Sequence, residues 1–228
     1  MGLILFIGIA IISFIVQWRF KSKFKQYSEI ALSSALSGAE IARKMLADHG
    51  INDVEIISVD GQLTDHYNPA DRTVNLSPDV YHGRSIAAAA VAAHECGHAV
   101  QHARAYSWLQ FRSAMVPVVS VASNLVQWIL LIGVMLMAFG NNPIVLAVGV
   151  GALAILTVFS FVTLPVEFDA SKRALVWLQS NKGIMQTSVE HDQAKNALWW
   201  AAMTYVVAAL SSLATLMYYA MMLFGRRD

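Results

Sequence analysis

Three stretches of the chain carry no charged side chain: residues 1–18, 113–166 and 196–225. A helix that crosses a bilayer needs roughly 20 apolar residues, within a range of about 17–25. The first and third stretches hold one span each. The middle stretch is long enough for two, and Gly140-Asn-Asn-Pro143 is a turn signal at its centre. The pattern predicts four spans, near 2–18, 116–139, 144–164 and 199–223.

Between these stretches the periodicity changes. Residues 37–50 place Ala39, Ala42, Met45 and Leu46 on one helical face, after Ser37 and before Gly50. Residues 54–59 alternate as a short strand that ends at Asp60-Gly61. Residues 67–71 read as a turn, followed by a second strand over 72–77. Ser77-Pro78 and Ser85 are both plausible helix starts. The helix from Ser85 is expected to continue to about Met115, where Pro117 disturbs it. The soluble parts thus predict helices with a strand pair.

Charge order orients the spans. A cleaved signal peptide has its basic residues before the apolar core. Here Arg19, Lys21, Lys23 and Lys25 follow it. The first span therefore reads as a retained anchor with its N-terminus outside, and residues 19–112 as cytoplasmic. The same count leaves Arg226 and Arg227 outside, against the rule. Whatever the orientation, two spans in the middle stretch return the chain to the side it left. Residues after Val166 can then meet those before Ser113.

Composition adds to this picture. The chain of 228 residues is 57% hydrophobic and 14% charged, against about 25% charged in a soluble domain. A net charge of +1 and the lack of a basic stripe argue against nucleic-acid binding. The single cysteine, Cys96, cannot form an intrachain disulfide.

The chemistry sits in His94-Glu95-Cys96-Gly97-His98, inside an alanine-rich helical stretch. Histidines at i and i+4 lie on one helix face, where both can bind one Zn²⁺. Glu95 then stands beside the metal as a general base. Burying these polar groups without a partner is costly, and a metal supplies the partner. Cys96 points away from the histidines and reads as packing; Gly97 lets another backbone approach.

Catalytic zinc usually has three protein ligands plus water. Two residues are candidates for the third. His102 lies a further turn along the same helix. Glu167 is the first charge after the middle apolar stretch, in a segment where Pro165 suits a first helical turn. Ala170, Ser171 and Ala174 share its face and are small enough for close helix packing. Asp169 either pairs with Arg173 at i+4 or supports an imidazole N–H. His191 reads as a loop residue, either exposed or a hydrogen-bond donor to the transition state.

These residues carry a resemblance. Leu63-Thr-Asp-His-Tyr-Asn-Pro69, Val74-Asn-Leu-Ser77, residues 91–101 around the histidines and Glu167-Phe-Asp-Ala-Ser171 resemble the YugP-type neutral zinc metallopeptidases of bacterial membranes. Thr204-Tyr205-Val206 also fits, and the similarity spans nearly the whole chain. It implies a multi-pass inner-membrane protein with one Zn²⁺ on His94, His98 and a downstream glutamate. Glu167 resembles the ligand in the E-x-x-A-D motif of related membrane gluzincins. Ser171 stands where those families carry aspartate, so Asp169 is a candidate to take over its supporting contact.

The expected fold is mainly α: a multi-pass membrane protein with a small zincin-like α+β cytoplasmic part. Its segments are an anchor (1–18), a cytoplasmic part with strand pair and histidine helix (19–115), a transmembrane hairpin (116–164), a cytoplasmic helix with the third ligand (165–195) and a C-terminal span (196–228). The expected function is zinc-dependent hydrolysis of peptide bonds, with a peptide or protein substrate and the lipid bilayer as partners. A homo-oligomer or a membrane partner protein is left open. The competing reading is a non-catalytic zinc scaffold that binds partner proteins, against which an intact Glu95 argues.

Overall fold

The computed structural model describes residues 2–140 and 142–225. Asn141 of the expected turn, and Arg226 and Arg227, lie outside the described residues. The elements are helices α1 (Gly2–Ser28), α2 (Gly38–Asp48), α3 (Pro78–Tyr81), α4 (Ile86–Ala103), α5 (Ser107–Gly140), α6 (Ile144–Ser180) and α7 (Ser188–Phe224), with strands β1 (Glu55–Ser58), β2 (His66–Asn68) and β3 (Thr73–Leu76). They divide into two compact units.

The first unit comprises residues 1–15, 110–164 and 205–228. Leu130 and Met137 of α5 pack on Leu146 and Leu153 of α6. Gly133 makes this approach close: a Cβ there would lie 2.7 Å from the Leu146 Cα. Thr157 and Ser212 join α6 to α7 through their hydroxyls, 2.7 Å apart. The outward faces are apolar, with Trp128, Phe139, Ile144 and Leu210 all exposed. Among the described residues, α5, α6 and α7 are long and apolar enough to cross a membrane. Four spans were expected; α1 is not one of these three. Its charge-free stretch stands at the short end of the spanning range.

The second unit comprises residues 16–109 and 165–204. Its core gathers Ile41 and Met45 of α2, Val74 and Leu76 of β3, and Leu178 of α6 around α4. The alanines of α4 explain how one helix can be covered on so many sides, since they leave room for close neighbours. Ser37 caps α2 in a capping box: its hydroxyl accepts from the Glu40 N–H, and the Glu40 carboxylate accepts from the Ser37 N–H. Ser85 caps α4, its hydroxyl accepting from the Ala88 N–H.

The sheet corrects the expected strand pair. It has three strands in the order β1-β3-β2, β1 parallel and β2 antiparallel to β3. The segment read as a turn begins as strand β2, and Asn68 at its end folds back to accept from the Ala70 N–H. Since β3 is central, neither of its edges is open for an added peptide strand.

Three helix boundaries also differ from expectation. The helix from Ser85 stops at Ala103 rather than near Met115. Arg104 to Tyr106 close it with Ala105 at φ 51°, the Ala105 N–H donating to the His102 carbonyl and the Tyr106 N–H to that of Gln101. This is a Schellman closure with alanine where glycine is usual. Pro165 lies inside α6, not in a first turn. The missing proline N–H costs one bond, and the long apolar run before it, with the buried Ala170 and Ala174 after it, carries the helix through. His191 is in the first turn of α7 rather than in a loop. The Thr187 hydroxyl accepts from the Glu190 N–H while the Glu190 carboxylate accepts from the Thr187 N–H, a second capping box that starts this helix.

Candidate metal centre

α4 and α6 meet where neither has bulk. A Cβ on Gly97 would come within 2.6 Å of the Ala170 carbonyl oxygen, so the two backbones are in contact there. Ala170 and Ala174 on the facing side of α6 are fully buried. This packing brings Glu167 over the histidine face of α4.

Three ligand atoms converge. Glu167 Oε2 lies 3.3 Å from His94 Nε2 and 3.6 Å from His98 Nε2. Ligand-capable atoms of these three residues all lie within 4.8 Å of one another. Donors about 2.0–2.1 Å from one tetrahedral ion stand roughly 3.3–3.4 Å apart, so the spacing fits a single zinc. Two imidazoles and one carboxylate also suit its chemistry.

The far nitrogens of both rings are occupied by protein. The His94 Nδ1 lies 3.1 Å from the Ser171 hydroxyl, and the His98 Nδ1 lies 3.0 Å from Gln101 Oε1. With Nδ1–H donating to these oxygens, each Nε2 presents its lone pair inward. Gln101 is itself fixed. It is fully buried, and its Nε2 donates to the Val166 carbonyl and to Asp169 Oδ2, both at 2.8 Å. Asp169 in turn accepts from Arg173 Nε at 2.5 Å. The Arg173 guanidinium lies 5.6 Å from the Tyr106 ring centroid, a cation–π contact.

Glu95 is buried beside the histidines. Burial pushes its carboxyl above the usual range; the His94 and His98 charges pull it back, and Glu167 adds to the rise. Burial disfavours charge on the His98 ring, but the Glu167 and Glu95 carboxylates outweigh it, so the ring's pKa stands above its ordinary value. Cys96 points to the other side of α4, its Sγ 3.6 Å from the Ala42 carbonyl, and burial pushes its thiol far up.

Of the residues singled out in the sequence, His94, His98 and Glu167 come together with Glu95 beside them. His102 does not join them; its Nδ1 lies 2.7 Å from the Tyr67 hydroxyl. Of the two contacts considered for Asp169, the structure shows the pair with Arg173; its other partner is the Gln101 amide rather than an imidazole. The direct contact to His94 belongs to Ser171 itself. His191 turns to the Leu175 carbonyl, 3.3 Å away. Sequence reasoning missed Gln101, although its i+3 spacing from His98 put it on the same helix face.

A small-residue helix crossing thus gathers two histidines and one glutamate that could hold a metal ion, in a chain with three apolar helices of spanning length among the described residues. Residues 2–224 match the family described as "Putative neutral zinc metallopeptidase", and the chain belongs to that family. It is similar to the "Putative membrane protease YugP" of Bacillus subtilis (strain 168), with 42% identity over 228 residues covering 99% of each chain. No solved structure matches.

Proposed function

We propose that this chain is a membrane-embedded zinc metalloendopeptidase that holds one Zn²⁺ on His94, His98 and Glu167. The observation that supports the reading is the convergence of His94, His98 and Glu167, with Glu167 Oε2 3.3 Å and 3.6 Å from the two Nε2 atoms, close to the separation of neighbouring ligands on one tetrahedral ion. A zinc ion bound there acts as a Lewis acid, lowering the pKa of a water toward roughly 7 and polarising a carbonyl oxygen.

The chain's own groups do the rest. Glu95 accepts the proton of the attacking water and returns it to the leaving amine. It is buried next to two imidazoles, and burial holds its carboxyl above the ordinary value. Ser171 and Gln101 hold the imidazoles in the tautomer that faces inward. Asp169 and Arg173 keep Gln101 from turning.

The membrane arrangement in this reading has four spans, with α1 supplying the first. Its exposed Ile11, Phe14 and Trp18 support lipid contact, and the cations that follow support a cytoplasmic site. The host membrane is the bacterial inner membrane, as the similarity to a membrane protease supports. Metal analysis of the purified full chain tests the ligand set. One zinc per chain is expected, with most of it lost in Glu167→Ala. Full zinc retention in that variant would overturn Glu167 as a ligand.

A further inference from the structure

We propose that a groove between α6 and α7 in the second unit binds the headgroup of an anionic phospholipid, an inference that rests on the membrane reading above. The groove has a volume of about 280 Å³. Phe168, Leu175, Leu198 and Trp199 supply apolar walls, and Lys172 and Lys195 add two cations. No Asp or Glu lines it among the described residues. Neither lysine has an ion-pair or hydrogen-bond partner among the described residues.

The acids nearby in sequence are committed elsewhere or turned away. Asp169 is held by Gln101 and Arg173. Glu190 accepts from the backbone of Ser33, Gln186 and Thr187. Asp192 does not line the groove. His191 is tied to the Leu175 carbonyl. Two unneutralised ammonium groups over an apolar wall fit a ligand that joins an acid to a hydrocarbon.

Position along the chain selects a lipid over a soluble anion. Lys195 immediately precedes the charge-free stretch 196–225, and Lys172 lies six residues beyond Val166, the last residue of 113–166. At a rise of 1.5 Å per residue that is about 9 Å. The headgroup band is roughly 5–8 Å deep on each side, within reach of a lysine stem that snorkels. The Trp199 ring, half exposed, lies 6.5 Å from the Phe168 ring, centroid to centroid, and tryptophan is enriched at this depth. The groove also touches the metal centre through Ser171, which lines it and contacts His94.

The test compares the full-length parent with the Lys172→Gln/Lys195→Gln double variant, both zinc-loaded and checked for helix content and vesicle insertion. Each is titrated in neutral detergent with dioctanoyl phosphatidylglycerol, dioctanoyl phosphatidylcholine, glycerol phosphate and an apolar peptide with a free C-terminal carboxylate. Native mass spectrometry counts the bound molecules. The parent is expected to bind phosphatidylglycerol about tenfold more tightly than phosphatidylcholine, and the double variant to lose that preference. Glycerol phosphate, lacking the chains, is expected not to compete. Equal binding of both lipids by the parent, an unchanged preference in the variant, or competition by glycerol phosphate or the peptide instead would overturn the proposal. Failure of the parent to insert into vesicles would instead sink the membrane reading, and this proposal with it.

Discussion

Gly97 on α4 and Ala170 on α6 touch backbone to backbone: a methyl on Gly97 would stand 2.6 Å from the Ala170 carbonyl oxygen. The neighbour is main chain, so no rotamer change relieves the clash. The contact fixes how far Glu167 stands from His94 and His98. Alanine is the better helix former by about 1 kcal/mol, yet overpacking here costs about 1–3 kcal/mol. Gly97→Ala is therefore expected to weaken zinc affinity about tenfold or more by driving α6 outward. Chelator competition measures it. Unchanged affinity would mean the helices can separate without moving the ligands.

Gln101 and Ser171 do the same work for different histidines in different surroundings. Gln101 is fully buried and its side chain joins His98 to Val166 and Asp169, whereas the hydroxyl of Ser171 meets His94. Gln101→Ala is expected to lower zinc affinity about 10- to 100-fold. Ser171→Ala should cost less, since it removes the contact to His94 alone, while Gln101→Ala also leaves the bonds to Val166 and Asp169 unmade. The reverse ranking, in the same competition assay, would contradict the roles given to the two side chains.

Ala105 holds a left-handed conformation, φ 51°, at the close of α4. Such a conformation costs an L-residue roughly 1–2 kcal/mol, part of which glycine returns through its freer unfolded chain. Ala105→Gly is expected to raise stability by about 0.5–1 kcal/mol with zinc content unchanged. Thermal unfolding of the zinc-loaded chain reads it out, and a lowered midpoint would count against the Schellman closure.

The capping box of α2 carries a pH dependence. The Ser37 N–H and hydroxyl, then Arg84 and Arg43, hold the Glu40 carboxyl below its usual value. A depressed folded-state value means the contribution is complete above the unfolded-state pKa, about 4.3, and is lost as pH falls through the folded value. Glu40→Gln should therefore lower the unfolding midpoint at pH 7, with the gap closing below about pH 4. Ser37→Ala is expected to cost about 1 kcal/mol at neutral pH. A Glu40→Gln gap that is constant with pH would show the carboxylate charge to be irrelevant.

What the sequence revealed depended on the range of the signal. The histidine pair and α2 are local patterns, read from spacing and from Ser37 and Gly50. Glu167 was legible because it is the first charge after a long apolar stretch. The break at Ala105 was not, because the residue in the left-handed position lacks the usual glycine. β2 was hidden by its three-residue length and by the turn chemistry of Asn68-Pro69. Pro165 read as a helix start because its missing N–H is tolerated there, while the apolar run before it and the packing on α4 after it override the preference. The helical place of His191 was written in Thr187-Ser-Val-Glu190, a capping signature that the adjacent polar residues masked. Gln101 escaped notice because its role exists only once α6 brings Val166 and Asp169 alongside.

The central claim is that Glu95 moves the proton in zinc-dependent peptide hydrolysis. The most direct measurement is cleavage of an unfolded test protein by the zinc-loaded full chain beside Glu95→Gln, with the metal content of both assayed. The account predicts cleavage by the parent, and a variant that keeps its zinc while losing about 10²–10⁴-fold or more of the rate. A zinc-replete Glu95→Gln that cleaves at the parent rate, or a zinc-replete parent that cleaves nothing, would contradict it.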